Sequence, residues 1–131
     1  MIIHRTRQCV AQALVEFALV APLLVGLSLG ILQVMLYVHA NDVVTSSVQE
    51  GARLAAEDGR RLDEGYARTR VMLVAGLGDS LEAVTVDGSM DADSVRVRVD
   101  AGLLPILPLG TRLPVHAEAW VARERFRPGG R

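Results

Sequence analysis

The chain has 131 residues, half of them apolar and only 4% aromatic, with a formal net charge of -1. That length suits one domain with a modest core, and the balanced charge argues against a nucleic-acid binder, which carries a basic surplus. A single cysteine, Cys9, excludes an internal disulfide and a cysteine-rich zinc site.

The first predicted element is a long helix. His4, Arg5 and Arg7 precede it, and the 24 residues from Phe17 to Ala40 contain no aspartate, glutamate, lysine or arginine. A helix of that length rises about 36 Å, enough to cross a hydrocarbon core of about 30 Å. Uncharged, mostly apolar runs of this length are rare outside membranes. The arginines on the N-terminal side predict a cytoplasmic N-terminus, with the chain beyond residue 40 on the far side of the membrane. Helical patterning continues past the run, because Val44, Val48, Ala52 and Ala55 recur at three- and four-residue spacing and make one apolar stripe. Gly59 is a plausible stop. One helix from Gln12 to Glu57 would be about 69 Å long. A cleaved secretory signal competes, since Val38-His39-Ala40 resembles a cleavage pattern, but the apolar region of a signal is usually shorter than this one.

Glu16 stands at the head of the run, where a charge in or near lipid calls for a partner. A cut between Ala11 and Gln12 would make it the fifth residue of the new chain, and the freed α-amino group of Gln12 would be mostly protonated at neutral pH. In a staggered assembly, that amine of one subunit would neutralise Glu16 of its neighbour. Such a desolvated pair selects register more than it adds stability. The alternative is a carboxylate at the headgroup boundary. Further along, Pro22 removes one backbone donor and loosens a turn, either as an ordinary membrane-helix kink or as a device for leaving the bilayer or packing in a filament. Gly26 and Gly30 form a G-x-x-x-G pattern that permits close helix approach.

A second helix follows in "RRLDEGYARTRVMLVAGLG", with Leu62, Tyr66, Thr69 and Leu73 on one side, Asp63 or Glu64 near its start, and Gly76 and Gly78 near its end. Beyond Asp79 the period becomes two. Val84 and Val86, then Val95, Val97 and Val99, then Val115, Ala117, Ala119 and Val121 mark three half-buried strands of an antiparallel sheet laid on the helices. "DGSMDADS" is the expected hairpin turn between the first two. Arg96 and Arg98 share the solvent face, opposite Glu118. Asp87, Asp91 and Asp93 lack the central glycine and final glutamate of a calcium loop, so no metal site is expected. "AGLLPILPLGTRLP", residues 101–114, either folds back to close the core or stays exposed as a docking patch. His4, His39 and His116 fall in three separate regions, and no nucleophile elbow or phosphate-cradling loop appears. Neither catalysis nor a cofactor is expected.

"QALVEFALVAPLLVGLSLGILQ" resembles the N-terminus of TadE-like pseudopilins, minor components of tight-adherence (Flp-type) pili within the type IV pilus group. "QEGARLAA", residues 49 to 56, matches a second signature of that family, and "LPILPLG…LPVHAEAWVARE" fits it more loosely. The resemblance is specific mainly in residues 12 to 56. It implies a pilin-like α+β fold in three parts. A leader spans residues 1–11; a helix spans 12–57, with its membrane segment at about 17–40; an exported head spans 58–131. It further implies removal of the leader at Ala11–Gln12 by a prepilin peptidase that recognises Gln12, Ala13, Leu14, Val15, Glu16 and Phe17. The family usually carries glycine where this chain has Ala11, so an uncleaved membrane-anchored accessory protein is also open, as is a secreted binding domain starting near Asn41. The partners implied are a major pilin, other minor pilins, the peptidase, an inner-membrane platform with its ATPase, and membrane lipid.

Overall fold

The computed structural model describes residues 3–106 and 111–123, and side chains from residue 12 onward. The side chains of His4, Arg5, Arg7, Cys9 and Ala11 lie outside what is described, as do residues 107–110 of the 101–114 segment. The fold is the expected α+β arrangement of one long apolar helix, a shorter helix and a small antiparallel sheet. Helix α1 (Ile3–Ala56) leads to α2 (Leu62–Leu77), a 3-10 turn at Gly78–Ser80, and strands β1 (Leu81–Met90), β2 (Ser94–Leu103) and β3 (Leu113–Ala122).

Helix α1 continues without a break through Pro22 to Ala56, and in the turn that follows Gly59 takes a positive φ of 77°, a conformation costly for any residue with a Cβ. That reversal sends α2 back antiparallel along α1. Glu64 starts α2 by accepting the Arg61 backbone N–H at 3.3 Å, and with Asp63 it places negative charge at the positive end of the helix dipole. The two helices touch backbone to backbone. A Cβ added to Gly65 would lie 2.6 Å from the Gly51 carbonyl oxygen and 2.8 Å from Ala55 Cβ. Beside this crossing, the buried Thr69 hydroxyl donates to the Gly65 carbonyl at 2.9 Å, so it carries no unmet polar cost.

The strands form a meander in the order β1-β2-β3, all pairs antiparallel. Val95, Val97, Val99 and Val115 point inward and are essentially inaccessible to water, as are Val44, Val48, Ala52 and Ala55 of α1. Each fully buried valine contributes about 1.5–3 kcal/mol over an exposed one. The small residues of the α1 stripe let the helix lie close to β2 and β3, while α2 covers β1. On the outer face, Glu118 pairs with Arg96 at 2.8 Å and accepts the Trp120 indole N–H, and the Arg96 guanidinium lies 5.0 Å over the Trp120 ring. Arg98 holds Asp100 at 2.7 Å.

One sequence expectation changes, and one open alternative is resolved. Val84 does not share the inward face with Val86: it is 40% exposed, against 7% for Val86. The register slips between Glu82 and Thr85, and Ala83 takes a φ of 53°, so a bulge rotates Val84 out of the alternation. The leucine- and proline-rich segment follows both of its alternatives in part. Leu103 is buried as the end of β2, and Leu113 opens β3 partly buried, but Leu104 and Ile106 are exposed. Pro114 is tolerated near the start of β3 because β3 is an edge strand.

Candidate functional site

Helix α1 has two unlike halves. From Ala40 onward its stripe is sealed into the head. Before that, fifteen large apolar residues from Leu14 to Val38 are exposed, on every side of the helix. A soluble domain rarely exposes a contiguous apolar surface of this extent, and a helix apolar all round belongs in lipid or among other helices. Among the described residues this is one helix long and apolar enough to cross a membrane.

Gln12, Ala13, Leu14, Val15, Glu16 and Phe17 all lie on helical backbone, and their side chains are exposed. Gln12 and Glu16 are one turn apart on one face, together with Val15 and Leu19 around a shallow hollow. The Glu16 carboxylate has no hydrogen bond or ion pair among the described residues. A carboxylate this close to an apolar surface would be stabilised by a cation supplied from outside the chain.

Pro22 adds a missing donor nearly two turns beyond Glu16. Gly26 and Gly30 line an open groove of about 630 Å³, together with Leu27, Ile31, Val34, Met35 and Val38. A Cβ at either glycine would meet nothing within 4 Å, so no contact among the described residues requires them to be small. The structure thus brings Gln12 and Glu16 together, and it places Pro22, Gly26 and Gly30 farther up the same helix.

Two residues that periodicity does not single out join the halves. Gln33 accepts the Ile106 backbone N–H at 2.7 Å, and its Nε2 is buried without an acceptor among the described residues. The Tyr37 hydroxyl donates to the Pro114 carbonyl at 3.3 Å. The head therefore begins to grip α1 at Gln33, inside the uncharged run. The one available signal was a lone amide between Leu32 and Val34.

The family model described as TadE-like protein matches residues 11–53. Its span opens at Ala11, covers the exposed half of α1, and closes just after the Gly51 crossing. No curated protein and no solved structure matches the chain.

Proposed function

We propose that this chain, with its TadE-like segment at residues 11–53, is a minor pilin or pseudopilin of a tight-adherence pilus. Its role is structural, in pilus assembly and hence surface adhesion, and not enzymatic. One observation carries the reading. The segment that matches the family contains the whole stretch of α1, Leu14 to Val38, whose apolar surface is left uncovered, with a lone carboxylate at its head. In this account the helix anchors the precursor in the inner membrane with its N-terminus in the cytoplasm. A prepilin peptidase cuts between Ala11 and Gln12, reading Ala13, Leu14, Val15, Glu16 and Phe17. A platform and its ATPase then move the subunit among the major and other minor pilins.

Glu16 sets the axial register by accepting the Gln12 amino group of an adjoining subunit. Pro22 leaves one turn adaptable, and the Gly26–Gly30 groove receives a neighbouring helix. Packing between such helices is governed by close van der Waals contact, which the glycines allow.

The secreted-domain alternative fares worse on the geometry. Cleavage at Ala40 would discard Gln33 and Tyr37, which bond the head, and cut a helix at a residue fully buried in the core. The uncleaved anchor differs only in its N-terminus. The mass of the protein from membranes of cells with and without a prepilin peptidase separates all three. A start at Gln12 that depends on the peptidase is expected. An intact leader in both strains would make the protein a permanent anchor, and a start at Asn41 would make it a secreted domain.

A further inference from the structure

Beyond Leu103 the chain leaves the sheet and turns along α1 toward its exposed half. Leu104 and Ile106 are 42% and 47% exposed. Ile106 sits beside Gln33, seven residues before Ala40, so the tip lies about 10 Å below the end of the uncharged run on a helix rising 1.5 Å per residue.

At such a depth in a bilayer, every backbone donor needs a protein acceptor, because lipid offers none. The tip meets that demand. Leu104 donates its N–H to the Ser80 carbonyl at 3.0 Å, Pro105 has no N–H, and Ile106 donates to Gln33. Three successive residues thus present apolar side chains with no donor unpaired. In water the Ile106 N–H would need no protein partner. Here a side chain from within the apolar run supplies one.

Polar groups stand beside and above the tip. His39, Asp79 and Ser80 border a hollow of about 640 Å³ between the tip, α1 and the end of α2. His39 is about 9 Å farther up α1 than Gln33. The Arg112–Glu82 pair, at 2.7 Å, closes the lower end of the sheet. Apolar side chains flanked by polar and charged groups at their upper margin make the arrangement of a segment seated at the boundary of headgroups and acyl chains, where such segments sink about 5–10 Å.

We infer that Leu104, Pro105 and Ile106 form a second membrane contact, seated in the outer leaflet beside α1. The inference rests on the reading of α1 as a membrane anchor. With two points of attachment, the head is held at one height and one orientation on the bilayer before assembly. Extraction of the subunit then requires the loop to leave lipid together with the helix.

The test uses the full chain carrying Cys9→Ser, reconstituted in phosphatidylcholine–phosphatidylglycerol vesicles. A polarity-sensitive fluorophore is attached in turn at Ile106→Cys, at Leu104→Cys, at Asp91→Cys on the far hairpin, and at Val25→Cys in mid-helix. Circular dichroism verifies that each variant is folded. The labels at 104 and 106 are expected to be quenched by lipids spin-labelled near the headgroup. They should be clearly less quenched by aqueous iodide than the label at 91, as shallow burial implies. Iodide access equal to that at 91, with the Val25 label still in lipid, would overturn the inference and leave the anchor intact. Shielding from both iodide and lipid quenchers would overturn it in favour of a neighbouring protein surface. Iodide access at Val25 would remove the anchor itself.

Discussion

Gly51 shows how a single residue carries the head. Its carbonyl lies where a Cβ on Gly65 would go, and a Cβ on Gly51 itself would run into the Thr69 hydroxyl and lie 2.7 Å from the Gly65 carbonyl. Backbone on backbone leaves nothing soft to yield. Gly65→Ala is therefore expected to lower the unfolding free energy of the head by about 2 kcal/mol, because the overpacking cost exceeds the gain in helix propensity of about 1 kcal/mol. Gly26→Ala, with open space around it, should leave the head's denaturant midpoint unchanged. Denaturant titration of the full chain in detergent, followed by circular dichroism, compares the two, and equal midpoints for both variants would contradict the close crossing. Glu16 is the opposite kind of residue, exposed and without a bonded partner among the described residues. Glu16→Gln is expected to leave head stability as it was and to reduce incorporation into filaments, measured as the fraction of subunit recovered in sheared surface material.

At the scale of elements, regular parts were legible from periodicity and irregular parts were not. The stripe of Val44, Val48, Ala52 and Ala55 and the alternation of Val95, Val97 and Val99 both ended in full burial, because tertiary packing reinforced the local pattern. The alternation at Val84 failed because one extra residue at Ala83 resets the face of every side chain on one side of it. Nothing in "LEAVTVDG" marks a bulge by composition. The difference is measurable. Val97→Ala should cost about 2 kcal/mol through the cavity it leaves, whereas Val84→Ala should cost a few tenths, its side chain being already half in water. Similar losses for the two would restore the simple alternation. The candidate site was legible in a different way. The uncharged run and the lone Glu16 are visible without coordinates, but the grip of Gln33 and Tyr37 on the head pairs residues more than seventy positions apart, which no local window can register.

For the whole molecule, the outer face of the sheet and the start of α2 set the response to pH. Hydrogen bonds from Arg60, Arg98 and Arg96 hold the Glu64, Asp100 and Glu118 carboxyls, respectively, below their ordinary values. A carboxyl depressed in the folded state adds stability that is present above the unfolded pKa of about 4 and lost as pH falls through the folded value. The melting temperature of the head should therefore be nearly flat from neutral pH down to about 5 and fall below about 4. Because these pairs are exposed, the acid loss should shrink in high salt. A melting temperature that rises on acidification would contradict the assignment. The same molecule divides into a head that closes its own core and a rod that leaves its apolar surface to others, which is the division an assembly subunit needs.

That division is tested most directly by the intact mass of this protein in purified surface filaments. The account predicts a subunit there that begins at Gln12, present for the natural chain and depleted for Glu16→Gln. A protein absent from filaments and recovered only from membranes with residues 1–11 still attached would contradict it.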